Sequence, residues 1–133
     1  MSDKKRILIV EDETMMITPL ASKFEHAGFE VIKAFDGEDG LEKAMKEKPD
    51  LVMLDILMPK MDGMAVMRKI REDKHWGSDV PIVMLTNLND PEKVSEAANY
   101  QVFDFLVKTD WKLEDIINFV KQKLDANFIN LSK

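Results

Sequence analysis

Charged and hydroxyl side chains follow four short apolar segments of this chain, at the point where each segment ends. Glu11 and Asp12 follow the first segment, Asp55 the second, Thr86 the third and Lys108 the fourth. Carboxylate oxygens are the ligands that hard cations such as Mg²⁺ prefer, and a lysine ammonium can neutralise phosphoryl oxygens. The residue types therefore suit a site for a hard cation and a phosphoryl group. The four segments are residues 7–10, 51–54, 82–85 and 105–107.

The four segments have the length and composition of buried strands in a parallel sheet. In open α/β sheets, ligands bind in the crevice beyond the carboxyl ends of the strands. Because all four polar positions follow a predicted strand, we expect their side chains to converge on one crevice.

Helical periodicity separates the predicted strands. In the first helix Met16, Leu20, Phe24 and Ala27 recur at helical spacing, and Pro19 lies among them. A proline costs about 3 kcal/mol in a helix interior but is tolerated in the first turn. The helix therefore either begins late, within residues 14–18, or bends at the proline.

Five strand–helix units are predicted along the chain. A short strand covers residues 31–34, a helix runs over residues 63–73, and a last strand covers residues 102–107. A further helix begins at Pro91, and Asp110 is predicted to cap the final helix. The alternation predicts an α/β fold, a doubly wound five-stranded parallel sheet with helices on both faces. The apolar positions predicted for the later helices are Leu41, Ala44, Met45, Val66, Met67, Ile70, Leu113, Ile116, Ile117, Val120 and Leu124.

Composition limits the classes of function. The chain has 133 residues, which fits one domain, and we expect that domain to cover residues 1–126 and to be followed by a tail at residues 127–133. The net charge of −6 argues against direct nucleic-acid binding. The absence of cysteine excludes thiol chemistry, and no segment is long enough to be a signal peptide or a membrane span. A cytoplasmic location and no membrane contact are therefore expected.

The residues at the strand ends, taken together with the loop Met58-Pro59-Lys60-Met61-Asp62-Gly63, closely resemble a response-regulator receiver domain. The resemblance extends over residues 6–125, and its motifs occur in the family's order. It implies the flavodoxin-like strand order 2-1-3-4-5, which periodicity alone does not select. It also implies a signalling module that is charged by a histidine kinase or a phosphotransfer protein and acts on a downstream protein target that the sequence does not identify.

The same resemblance assigns a role to each site residue. Asp55 is the expected phosphoryl acceptor, and Asp12 and Asp55 are the expected direct ligands of Mg²⁺. Glu11 is expected to act through bound water, and the backbone carbonyl of Leu57 completes the ligand set. The remaining roles fall to Thr86 and Lys108, which would bind the phosphoryl group, and to Thr86 and Phe105, which would form the switch.

Several features leave alternatives open. Many members of the family have aspartate where this chain has Glu11, so the coordination of the ion is not fixed by the resemblance. Thr109 stands where most members have a proline, so we expect either a trans peptide bond with a shifted loop or a strained cis bond. An aromatic residue such as Phe105 is also common in a plain core. Four methionines at positions 58, 61, 64 and 67 are predicted to fill the core and pack the loop.

Two other classes of function are compatible with a chain of this size. A phosphate-independent receiver acting as an interaction module is the alternative function, although the complete acidic cluster argues against it. A flavodoxin-like or phosphohydrolase-like enzyme lacks support, since the chain has no Gly-rich phosphate loop or nucleophile elbow. Beyond its own phosphoryl transfer and hydrolysis, no enzymatic activity is expected. The chain is a stand-alone receiver or part of a longer one, and the start at Met1 and the short tail favour the stand-alone interpretation.

Leu57 and Leu88 lie two residues beyond Asp55 and Thr86, where some members of the family place polar residues that orient the hydrolytic water. We therefore expect the phosphorylated protein to hydrolyse slowly on its own. Replacing both leucines by polar residues should raise the dephosphorylation rate roughly tenfold, because a water molecule would then be oriented for attack. Single-turnover decay of the labelled protein measures this rate, and an unchanged rate would refute the idea.

Overall fold

The computed structural model describes residues 4–86 and 90–132, with side chains described as far as residue 125. Its described part contains five strands, five α-helices and one 3₁₀ turn. Strands and helices alternate along the chain, as the periodicity predicted. The strands are β1 (Arg6–Val10), β2 (Glu30–Ala34), β3 (Leu51–Asp55), β4 (Ile82–Thr86) and β5 (Asp104–Val107). The helices are α1 (Thr14–His26), α2 (Gly37–Glu47), α3 (Gly63–Glu72), α4 (Pro91–Ala98) and α5 (Leu113–Ser132).

All strand pairs are parallel, and their order is β2-β1-β3-β4-β5. This confirms the predicted strand order. Because successive side chains of a strand point to opposite faces, β1 contributes Leu8 and Val10 to one core layer and Ile7 and Ile9 to the other. Helices α2, α3 and α4 cover the first layer, and α1 and α5 cover the second. The sheet is therefore covered by helices on both faces.

Three aspartates fix the positions at which helices begin. The side chain of Asp36 accepts a hydrogen bond from the Asp39 amide at 2.8 Å, and Asp62 accepts one from the Ala65 amide at 2.9 Å. Each bond satisfies an amide that has no partner within its own helix. Asp90 does the same for α4, whose first residue is Pro91 as predicted.

The first helix begins within the predicted range, and its proline lies inside it. Helix α1 begins at Thr14, and Pro19 lies in its second turn, inside the helix. The amides of Met16 and Ile17 both bond to the carbonyl of Glu13 at 3.0 Å, so the first turn is already formed before the proline. The missing proline amide therefore interrupts a helix whose buried face is otherwise well packed.

One expectation for the last helix was wrong. Asp110 does not cap it, because Lys108–Asp110 form the 3₁₀ turn and α5 begins at Leu113. Lys112 instead stands before the helix, and its carbonyl accepts the Ile116 amide at 3.1 Å. The helix also continues to Ser132, past the expected tail boundary, since residues 126–132 contain no glycine or proline to end it. A division of the chain at residue 126 remains a prediction.

The methionines of the β3–α3 segment fill the core, as predicted. Met64 and Met67 are buried, and Met58 and Met61 are partly buried against the same layer. Trp76, in the connection after α3, also packs against this layer and donates its indole N–H to the Pro49 carbonyl at 2.7 Å.

Gly63 brings the start of α3 against the end of β3. A Cβ atom at this position would lie 2.2 Å from the carbonyl oxygen of Asp55 and 3.0 Å from the Cα of Ile56. The Gly63 amide donates to the Ile56 carbonyl at 2.8 Å. The absence of a side chain therefore allows the close approach that holds the backbone after Asp55.

We predict that Gly63→Ala lowers the free energy of unfolding by about 2–3 kcal/mol, since the backbone must shift to admit the methyl group. Gly28→Ala is the matched control, because Gly28 has a φ of 98° but nothing within 4 Å of an added Cβ. It should cost about 1 kcal/mol from backbone strain alone. Urea unfolding measures both variants, and an equal loss would show that the close approach at Gly63 has no energetic weight.

Candidate phosphoryl-acceptor site

The register of the sheet brings three of the predicted site residues to one edge. Asp55 is the last residue of β3 and lies opposite Leu85 of β4. Thr86 follows at the end of β4 and lies opposite Val107 of β5, and Lys108 is the next residue. Because the strands are parallel, their carboxyl ends meet at the same edge. The first strand ends at Val10, so Glu11 and Asp12 lie at this edge as well.

The ammonium group of Lys108 is the meeting point of the acidic residues. Its Nζ lies 2.5 Å from Oε1 of Glu11, 3.2 Å from Oδ1 of Asp55 and 3.3 Å from Oε1 of Glu13. The side chains of Lys108, Glu11 and Asp55 are 7%, 0% and 5% exposed, so these charges interact with little screening by water. The structure thus brings together residues that the sequence separates by 97 positions.

The acidic residues form a group that fits a hard cation. Glu11, Asp12, Glu13 and Asp55 each offer a carboxylate oxygen, and these oxygens lie within 4.8 Å of one another. The Oε2 atom of Glu11 is buried and has no hydrogen-bond partner among the described residues. A buried oxygen without a donor is costly unless a cation or a proton satisfies it. The donor set is all oxygen, which suits Mg²⁺.

The pKa of Glu11 reflects this surplus of negative charge. Burial is the main cause that raises the pKa of its carboxyl group to about 8, and the neighbouring Asp55 raises it further, while Lys108 opposes both. Burial and Asp55 thus favour the protonated form of Glu11, which could donate a hydrogen bond to Asp55. For Lys108, burial lowers the pKa, but Glu11 and Asp55 outweigh burial and the pKa is raised.

The remaining predicted residues differ in how far they are buried. Thr86 is buried at 8% exposure. Phe105 is partly buried against the core layer covered by α2, α3 and α4, so it has the core contacts of a structural aromatic. The side chain of Leu57 is 64% exposed in the bend after β3, and the assignment of its carbonyl as a cation ligand remains a prediction. Leu88, named with Leu57 for its effect on hydrolysis, lies outside the described residues.

The peptide bond after Lys108 is trans, because no cis peptide bond occurs in the described part of the chain. The trans bond of the first alternative is therefore confirmed, and the shift of the loop stays a prediction. The chain leaves β5 through the 3₁₀ turn Lys108–Asp110, which replaces the geometry that a proline would impose.

Glu13 is the one member of the acidic group that the sequence analysis did not single out. It stands at the N-terminal boundary of α1, and its side chain is 58% exposed. The signal was present in the run Glu11-Asp12-Glu13, which continues the acidic motif by one residue. Only the contact with Lys108 distinguishes it from an ordinary solvated carboxylate.

Residues 7–121 match the family described as the response regulator receiver domain. The chain belongs to this family, whose members are receiver domains of two-component response regulators. The chain is 46% identical over 82 residues to the alkaline phosphatase synthesis transcriptional regulatory protein PhoP of Bacillus subtilis, covering 62% of this chain and 33% of that protein. It is 36% identical to the probable transcriptional regulator ycf27 of Porphyridium aerugineum, covering 92% of this chain and 50% of that protein. The chain thus spans a third to a half of the length of these relatives.

Solved structures show the same fold over nearly the whole chain. A CheY-like receiver domain protein of Methanospirillum hungatei superposes with a TM-score of 0.87 at 26% identity, covering 96% of this chain and 99% of that one. The chemotaxis protein CheY4 of Vibrio cholerae gives 0.82 at 28% identity, covering 90% and 98%. Within the residues that the structure describes, no helix is both long and apolar enough to cross a membrane.

The raised pKa of Glu11 predicts how stability depends on pH. The folded protein, with a pKa near 8, binds this proton more tightly than the unfolded chain, with a pKa of 4.5. The contribution of Glu11 to the free energy of unfolding is therefore fully present below pH 4.5 and is lost as the pH rises through 8. Chemical denaturation across this pH range, in the presence of a chelator, should show that the free energy of unfolding of the wild type declines. The Glu11→Gln variant should not show this decline. Identical pH dependence in both proteins would contradict the assignment.

Proposed function

We propose that this chain is a phosphorylation-dependent signalling receiver that accepts a phosphoryl group on Asp55 in a Mg²⁺-dependent reaction. The observation that carries the proposal is the contact of the buried Lys108 ammonium with both Asp55 and Glu11. A nucleophilic carboxylate, a fixed ammonium and a group of oxygen ligands within a few ångströms are the parts that phosphoryl transfer to an aspartate requires.

Asp55 acts as the nucleophile. One of its carboxylate oxygens attacks the phosphorus of a phosphohistidine, the phosphorus–nitrogen bond breaks, and the imidazole leaves with the electron pair of that bond. The product is an aspartyl phosphate. Both reactants are anionic, so charge neutralisation at the acceptor is the main task of the site. Lys108 performs part of it, because its ammonium already lies 3.2 Å from Oδ1 of Asp55.

Asp12, Asp55 and the Leu57 carbonyl would hold Mg²⁺ directly, and Glu11 would act through bound water. When bound, the ion neutralises the developing negative charge and orients the transferring group. The ion would also offset the negative charge of Glu11 and Asp55, so that the Lys108 ammonium could turn from Glu11 to the phosphoryl oxygens. The buried orphan oxygen of Glu11 supports this assignment.

Thr86 and Phe105 would form the switch. The Thr86 hydroxyl would donate a hydrogen bond to the phosphoryl group, and the Phe105 ring would fill the space that the threonine leaves. Shifting a two-state equilibrium from 1:99 to 99:1 requires about 5.5 kcal/mol. Hydrogen bonds to charged groups contribute roughly 1.5–3 kcal/mol each, so two or three new bonds are sufficient. The output surface would consist of α4, β5 and α5.

The partners follow from this role. A histidine kinase or a phosphotransfer protein would supply the phosphoryl group in the cytoplasm, and a protein would read the output surface. The relatives named as transcriptional regulators are longer proteins, so a DNA-binding output could lie outside the sequence matched here. The net charge of −6 supports a receiver that does not itself contact nucleic acid. Its only chemistry would be its own phosphoryl transfer and hydrolysis.

Incubation with acetyl phosphate and Mg²⁺ tests the proposal. The wild type should gain the mass of one phosphoryl group, and Asp55→Asn should gain nothing, because an amide cannot attack the phosphorus. Chelation of the ion should abolish the gain. Intact-protein mass spectrometry measures each result.

Asp125→Asn is the matched control, since Asp125 is exposed on α5 and lies outside the acidic group. It should be labelled like the wild type. Equal labelling of Asp55→Asn would move the acceptor to another residue. No labelling of the folded wild type would favour the phosphate-independent interaction module instead.

A further inference from the structure

Glu13 is the residue before α1, and its side chain does not cap the helix. Its backbone is extended, with φ −88° and ψ 109°, and its carbonyl accepts hydrogen bonds from the first amides of the helix. Residues at this position often use the side chain to cap the next amides, but the Glu13 side chain makes no capping hydrogen bond. It reaches instead toward the site, where Oε1 lies 3.3 Å from the Nζ of Lys108.

An ion pair with Lys108 does not by itself explain this orientation. Lys108 already has shorter contacts with Glu11 and Asp55, and both of those side chains are buried. Glu13 is 58% exposed, and an exposed carboxylate gains little from such a contact. The contact therefore locates the Glu13 carboxylate at the site. It does not explain why a third acidic residue lies beside Lys108.

The charge of the group gives a better explanation. Four carboxylates, on Glu11, Asp12, Glu13 and Asp55, face one ammonium, so the fully ionised group carries three uncompensated negative charges. The buried Oε2 of Glu11, which has no hydrogen-bond partner among the described residues, is an independent observation that favours a ligand at this group. A divalent cation with its bound waters would satisfy that oxygen and offset most of the surplus charge.

We propose that Glu13 is a further cation-binding residue of this site, with its carboxylate accepting hydrogen bonds from the waters that a bound Mg²⁺ keeps. The inference rests on the proposed function, because it assumes that Asp12 and Asp55 bind the ion. The exposure of Glu13 fits this outer role, since a solvent-facing carboxylate can reach the hydrated side of the ion without displacing water. Glu13 thereby raises the affinity for Mg²⁺ and leaves the phosphoryl acceptor unobstructed.

Calorimetric titration of the whole chain with MgCl₂ tests the role of Glu13. Glu13→Gln should weaken binding about tenfold, the size expected when a residue that orients metal ligands is removed. Glu25→Gln is the matched control, because it removes the same charge from the same helix 12 residues away. At 1.5 Å per residue that distance is about 18 Å, beyond the screening length in physiological salt, so its affinity should not change.

Thermal unfolding without a cation provides a second readout. Removing one of four crowded carboxylates should leave the midpoint of Glu13→Gln unchanged or raise it, whereas loss of a structural ion pair would lower it. A lowered midpoint together with unchanged Mg²⁺ affinity would overturn the proposal, and so would equal weakening by Glu25→Gln.

Asp12→Asn separates this inference from the function beneath it. If Asp12→Asn abolishes Mg²⁺ binding while Glu13→Gln binds like the wild type, the site stands and the role of Glu13 is refuted. If the wild type binds no Mg²⁺, the proposed function and the role of Glu13 fail together.

Discussion

The balance of charge around Lys108 is the constraint on which the site depends. One ammonium lies within 3.3 Å of three carboxylates, two of them almost fully buried. Burying a charge is costly unless a partner compensates it, and here the single cation cannot compensate all of its acidic neighbours. The buried position and the neighbouring Asp55 therefore raise the pKa of Glu11 to about 8. Either a proton or a metal ion would reduce this surplus of negative charge.

The fold supplies this arrangement through parallel strands that end at one edge. The central strands β1, β3 and β4 are buried on both faces, and this is why they read as continuous apolar segments in the sequence. The polar residues that follow these strands therefore lie in the crevice at the carboxyl edge of the sheet. The close approach of Gly63 to the Asp55 carbonyl then fixes the backbone that follows the proposed acceptor. The proposed acceptor, the acidic residues and the ammonium are thus positioned by the carboxyl ends of the strands and by the close approach at Gly63.

Much of this architecture could be predicted from the sequence, because burial leaves a strong periodic signal. The apolar faces of α3 and the N-terminal turn at Pro91 follow from spacing and from proline chemistry. The start of α5 could not be predicted this way. Aspartate is a good capping residue, but Asp110 belongs to the 3₁₀ turn Lys108–Asp110 that follows β5. Periodicity also did not select the strand order, which came from the resemblance to a family.

The site residues that directly follow buried strands could be predicted from the sequence. Glu13 was missed, because it lies at the boundary of a helix and reaches the site through its long side chain. Glu11, Asp12, Asp55 and Lys108 met as expected, while Glu13 joined them through a contact that no spacing rule encodes. The pKa of Glu11 was equally hidden, since it depends on burial and on the distance to Asp55.

A crystal structure of this chain with Mg²⁺ and beryllium trifluoride, a phosphoryl analogue, tests the central claim most directly. We expect the analogue on a carboxylate oxygen of Asp55, the metal between Asp12 and Asp55, and the Lys108 ammonium moved from Glu11 to a fluoride. An analogue bound at another residue, or a Lys108 ammonium still held by Glu11 beside a modified Asp55, would contradict it.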